Sequence, residues 1–139
     1  MVDPASKWKV TAVSATIDQT KAWDGSGGAP DPYFGIDWGG CTGWNLDKCG
    51  PWDKDTYTPV WNAEMGTVTA GTLKGSWCAF VFDGDSFKAC LLPYQTMAQC
   101  TVVVTDADLA QGGKTVGTCP CPDGNNYVTD LKLEFTYVP

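Results

Sequence analysis

The sequence predicts an all-β protein, a sandwich or barrel of short strands. Three observations carry this reading. Sixteen Gly and nine Pro cut the 139 residues into short runs. No window of helical period exceeds about two turns. Leu131, Leu133, Phe135 and Tyr137 alternate with Lys132, Glu134 and Thr136, the pattern of a strand with one buried and one wet face.

The elements follow in order. Trp8, Val10 and Ala12 alternate, and then Val13, Ala15 and Ile17 alternate on the opposite phase. That slip predicts a bulge within the first strand. Tyr33 to Trp38 reads as a second strand. Trp77 to Phe82 and Cys100 to Thr105 are near-continuous apolar runs, as expected of strands buried between two sheets. Residues 39–57, rich in Cys, Trp, Gly and Pro, are the least regular stretch and read as an excursion from the sandwich.

Length and composition narrow the classes. A chain of 139 residues suits one domain, here 7–139 behind an N-terminal tail of 1–6. No apolar run approaches the ~20 residues that span a bilayer. Met1-Val2-Asp3-Pro4 lacks the basic start and apolar core of a signal peptide, and is read as the start of a trimmed domain with an added Met. The net charge is −7, with nine Lys and no Arg. Nucleic acid is therefore excluded as a partner, since phosphate contacts need clustered basic side chains. There is no His, so no Ser-His-Asp or Cys-His arrangement exists, and the expectation is a non-enzyme.

Seven cysteines in a short chain point to disulfides and an oxidising compartment, extracellular, periplasmic or at the cell surface. Cys41 and Cys49 flank a compact loop and are the easiest pair to propose. The pairing of Cys78, Cys90, Cys100, Cys119 and Cys121 stays open, and the odd count leaves one thiol free or paired outside the chain. Zinc is the rival use of these residues, but Cys119-Pro120-Cys121 has the wrong spacing for a Cys-x-x-Cys knuckle.

Three segments give a functional lead. Trp23-Asp24-Gly25-Ser26-Gly27-Gly28-Ala29-Pro30-Asp31-Pro32-Tyr33-Phe34 is a turn-rich loop with two aspartates running into an aromatic strand. Thr58-Pro59-Val60-Trp61-Asn62 follows. Val102-Val103-Val104-Thr105-Asp106-Ala107-Asp108 leads to Val116-Gly117. In this order they resemble the C2 domain family, β-sandwich modules that gather calcium between aspartate-bearing loops. The resemblance spans residues 7–139 and implies an antiparallel eight-stranded Greek-key β-sandwich, disulfide-stabilised. One strand before the first aspartate loop is similar to the permuted, phospholipase-like topology, in which the final strand fills the slot of the missing first one. The resemblance as a whole is to a secreted bacterial-type variant.

The resemblance also implies a site. Calcium takes six to eight oxygen ligands, mostly carboxylates and carbonyls on loops. Asp24, Asp31, Asp55, Asp106 and Asp108 are the expected metal ligands. Asp83 and Asp85 are the alternative third loop, because counting from Trp61 places them nearer the family's spacing. A further family aspartate is missing after Asp106. Lys114 falls near that place, where its ammonium could substitute for the ion. Trp23, Trp44, Trp52 and Leu109 are candidate membrane or glycan contacts. The implied function is a monomeric calcium-binding module that docks on a phospholipid surface or a protein partner. The alternatives are a metal-free interaction module and a carbohydrate-binding sandwich using Trp44, Trp52 and Tyr57. The bland reading of the excursion's aromatic residues is a local mini-core over a disulfide.

Overall fold

The computed structural model describes residues 1–21, 23, 28–41, 46–84 and 94–139, without the side chains of Pro51 and Tyr94. The elements are β1 (Lys7–Ile17), β2 (Pro32–Asp37), β3 (Lys48–Trp52), β4 (Val60–Thr69), α1 (Ala70–Lys74), β5 (Trp77–Gly84), β6 (Tyr94–Val102), α2 (Asp106–Gln111), β7 (Gly113–Cys119) and β8 (Val128–Val138). They form two antiparallel four-stranded sheets, β4-β1-β8-β7 and β3-β2-β5-β6. The expected eight-stranded sandwich is borne out. The last strand, β8, lies inside its sheet between β1 and β7, in the slot expected of a permuted chain.

The bulge expected in the first strand is present. The register of β1 against both neighbours shifts between Ala12 and Ser14. Val10 and Ala12 are buried before the shift, Ala15 and Ile17 after it. One extra residue flips the side-chain phase, so both halves still face the core. Between the sheets that core holds Phe34, Ile36, Trp61, Met65, Trp77, Val81, Leu131, Leu133 and Phe135.

The outer face of the second sheet is also apolar. Tyr33, Cys78, Phe80 and Phe82 alternate with the inward Phe34, Ala79 and Val81, yet are themselves buried. Cys41, Leu46, Cys49 and Trp52 pack on them. The excursion is therefore a cover over a second small core. Within it β3 pairs with β2 as an edge strand, which is where a Pro such as Pro51 is tolerated. Trp52 stacks on Tyr33 at 6.0 Å between centroids and 16° between planes.

The expected Cys41–Cys49 bridge is corrected. Cys41 bonds to Cys78 instead, because the turn after β2 folds over β5 and brings Cys41 against that strand. Cys49, on β3, is disulfide-bonded elsewhere. Cys100–Cys119 ties β6 to β7 and so joins the two sheets. Cys121 is the free thiol among the described residues. Cys90 lies outside them.

Residues 1–6 are not a loose tail. Ser6 and Pro4 carbonyls accept from Ala70 and Gly71 N–H at 2.8 and 2.9 Å. These are first-turn donors of α1 with no partner inside the helix. Among the described residues no helix is long and apolar enough to cross a membrane.

Candidate metal-binding end

Strand directions sort the connections to two ends. Pro32 pairs with Asp83, Tyr33 with Trp52, and Ile17 with Val128. The β1–β2, β3–β4, β5–β6 and β7–β8 connections therefore share one end. The turn after β2, with α1 and α2, occupies the other.

Three segments are knitted together at the first end around Asp31. Its N–H donates to Asp83 Oδ1 at 2.9 Å. Its own Oδ1 accepts the N–H of Asp55 at 2.8 Å. Neighbouring backbone continues the seam. Thr56 N–H donates to Pro30 O at 2.9 Å and Gly84 N–H to Asp31 O at 3.2 Å. Asp53 Oδ2 accepts Val60 N–H at 2.9 Å. Asp55 has φ 50, a left-handed turn conformation that Asp tolerates. Asp83 is 2% exposed. The charge is felt locally: burial, and then the Asp31 carboxylate, raise the Tyr33 phenol above its ordinary value.

Asp106 and Asp108 are at the opposite end. The reading that joined them to Asp31 and Asp55 is corrected by the topology. Thr105 caps α2, and Asp108 completes a capping box. Asp108 Oδ2 accepts Thr105 N–H at 2.9 Å and the Lys114 ammonium at 3.2 Å. Asp106 pairs with Lys74 at 2.7 Å, and that bond holds its carboxyl below the ordinary range. Lys114 does meet an aspartate, as expected, but it completes a helix clamp far from the loop end. Asp83, kept in the sequence reading as the alternative, is the residue that joins Asp31. Asp24 and Asp85 lie outside the described residues.

The donor chemistry at the Asp31 end fits a hard cation, with carboxylate and carbonyl oxygens on loops. The described residues do not supply a full shell. Among them no three acidic, Cys or His side chains stand close enough to hold a metal. One Asp31 oxygen is already committed to Asp55.

The expected contact residues are also relocated. Leu109 is buried at 2%, seated under α2. Trp23 is buried at 7%, edge-on to Tyr127 at 5.1 Å. Neither presents an apolar tip. Trp52 is half-buried in the second core and Tyr57 packs against the first. Trp44 lies outside the described residues. One sequence signal could have found the correct end. Thr105-Asp106-Ala107-Asp108-Leu109 has the spacing of a helix-opening capping box.

No family model and no curated protein matches the chain. Solved structures do. The first C2 domain of plant Extended Synaptotagmin 1 superposes with TM-score 0.65 at 17% identity, covering 99% of this chain and 98% of that one. The second C2 domain of BON1 gives 0.61 at 14%, covering 98% and 94%. A calcium-bound structure of the paired C2 domains of Extended Synaptotagmin 2 gives 0.58 at 15%, covering 97% and 47%. At such identities the likeness establishes the fold, which is that of a C2 domain.

Proposed function

We propose that this C2 fold serves as a non-catalytic, monomeric calcium-binding module outside the cytoplasm, docking on a phospholipid surface or a protein partner through its Asp31 end. One observation carries the reading: Asp31, Asp55 and Asp83, from three separate segments, are drawn together at one end of a strongly acidic chain. Asp31 and Asp83 would hold the ion, with Asp24 and Asp85 as the neighbouring acidic residues in sequence. Bound calcium would supply positive charge to which an anionic headgroup or carboxylate attaches. The disulfides support an oxidising compartment.

A metal-free module is the second reading. The hydrogen bonds of Asp31 and Asp83 already close the loops with backbone donors, so the end holds its shape through the chain alone. Thermal unfolding separates the two. An ion bound only by the folded state stabilises it by roughly 2.7 kcal/mol at ~100 times its dissociation constant. Equal melting temperatures in millimolar calcium and in chelator, with no heat in a calcium titration, would remove the calcium reading and leave the second. Sedimentation with phospholipid vesicles, with and without calcium, tests the docking step. The glycan reading loses Trp52 as a platform, because that ring is already stacked on Tyr33.

A further inference from the structure

At the same end Lys21, Trp23 and Tyr127 form an arrangement that the calcium reading does not use. The Trp23 and Tyr127 rings stand nearly perpendicular, 86° apart with centroids 5.1 Å apart. The Lys21 ammonium lies over both, 4.6 Å from the Trp23 ring centroid and 5.1 Å from that of Tyr127. The two loops are clasped by the Asp18 N–H, which donates to Tyr127 O at 2.7 Å. The Tyr127 hydroxyl donates to Asp123 Oδ2 at 3.1 Å. Burial, and then that bond and the charge of Asp123, raise the phenol above its ordinary value and keep it protonated. The carboxylate adds negative potential beside the ring.

Two perpendicular aromatic faces, one with a carboxylate on its hydroxyl, are the walls of a cation cage. Lys21 is a poor permanent occupant. Its ammonium is compact and strongly hydrated, carries three donors and sits on a flexible stem. Among the described residues no carboxylate lies within ion-pair distance of it; the described ion pairs are those of Lys74 and Lys114. A quaternary ammonium has no N–H to satisfy and is weakly hydrated, so it loses less on moving from water to aromatic faces.

We propose that Trp23 and Tyr127 form a cage for the trimethylammonium group of a choline headgroup, with Lys21 as its displaceable plug. On docking, Lys21 swings out on its own stem and reaches the phosphate of the same headgroup. The surface addressed is a phosphatidylcholine membrane. Trp23 then acts through its ring face rather than as an inserted apolar tip, in keeping with its burial. The lipid form rests on the docking reading above. The cage itself needs no calcium, so the two can fail separately.

The test is a titration of the whole chain with tetramethylammonium chloride in chelator, followed by Trp fluorescence and the indole N–H resonance of Trp23. The wild type binds weakly. Lys21→Met removes the plug and binds tighter, on the order of tenfold. Tyr127→Phe keeps the ring and retains binding, whereas Tyr127→Leu, shown to be folded by a cooperative unfolding transition, loses it. Ammonium chloride serves as the control and leaves the signals unmoved. The lipid arm compares vesicles of phosphatidylcholine and phosphatidylethanolamine, which differ in the three methyl groups. Selective sedimentation with phosphatidylcholine, sharpened by Lys21→Met, supports the proposal. Absence of tetramethylammonium binding to Lys21→Met, or equal binding by Tyr127→Leu, overturns the cage. Binding of the free cation with equal sedimentation on both vesicles overturns the membrane as its source. Loss of calcium heat with retained tetramethylammonium binding leaves the cage standing and overturns only the calcium reading.

Discussion

Asp31 and Asp83 lie 52 residues apart, and the backbone N–H of the first donates to Oδ1 of the second at 2.9 Å. That bond joins the start of β2 to the end of β5, where Pro32 pairs with Asp83. It also gives the nearly fully buried Asp83 carboxylate a backbone donor from a half-buried residue. A buried carboxylate needs such donors or a cation to offset its lost hydration.

Asp31→Asn and Asp83→Asn are each expected to weaken calcium binding by on the order of tenfold, about 1.4 kcal/mol. Both keep an oxygen in place and remove a charge. Asp108→Asn is expected to leave the calcium affinity unchanged, because Asp108 belongs to the helix clamp at the other end. A calorimetric titration of the three variants decides the matter, and a damaging Asp108→Asn would refute the assignment of ends.

The second core makes a different forecast. Phe82 faces away from the sandwich interior but is only 3% exposed, in parallel contact with Phe80 at 5.5 Å. Phe82→Ala is expected to cost about 3–5 kcal/mol, as for any buried Phe. Val60→Ala, at a position 59% exposed, is expected to stay within about 0.5 kcal/mol. Gly84→Ala is expected to destabilise by roughly 1–3 kcal/mol through overpacking, since a Cβ there would run into the Tyr33 ring. Guanidinium unfolding measures all three. An outer face that merely rests in solvent would give Phe82→Ala and Val60→Ala the same small effect.

The Cys41–Cys78 bridge closes 37 residues and pins the cover over Tyr33, Phe80 and Phe82. Loop-closure entropy for such a span is worth about 3–4 kcal/mol. The paired variant Cys41→Ala, Cys78→Ala is expected to lose that much and to bind an apolar dye through the uncovered aromatic residues. Retained stability without dye binding would mean that packing alone seats the excursion.

What could be read from sequence follows from periodicity. The phase slip between Ala12 and Val13 located the β1 bulge, and alternation from Leu131 to Phe135 located β8. Continuous apolar character in Trp77 to Phe82 goes with burial on both faces, although the second cover is the excursion and not a sheet. Cys100 to Thr105 is not buried between two sheets, since Thr101 and Val103 are exposed. The third loop is ambiguous in sequence because Asp83-Gly84-Asp85 and Asp106-Ala107-Asp108 look alike as acidic triplets. Local sequence does not show which end of a sandwich a loop reaches. That depends on the parity of strands, and β3 in the excursion adds one strand that Gly50 and Pro51 conceal. The disulfide partner of Cys41 was hidden for the same reason: it lies on a neighbouring strand, not nearby in sequence.

Asp108 yields an acid-stability prediction. Burial alone would raise its carboxyl, but the Thr105 N–H, the Lys114 ammonium and the Thr105 hydroxyl outweigh that and hold it below the ordinary 3.8. A carboxyl with a depressed folded value stabilises the fold above its unfolded value and loses that contribution as pH falls through the folded one. The clamp on α2 is therefore complete at neutral pH and dissolves as pH falls below 3.8 and through the lowered folded value. Asp108→Asn is expected to lower stability at neutral pH and to flatten the loss across that acid window, because Asn cannot titrate. Lys114→Ala is expected to produce part of both effects, leaving the Thr105 bonds in place. Unfolding free energies of wild type and both variants at pH steps from neutral to about pH 2 check the sign. If the wild-type and Asp108→Asn curves stay parallel through the acid window, Asp108 does not titrate against the fold. The Thr105–Asp108–Lys114 contacts would then be too weak to cap α2.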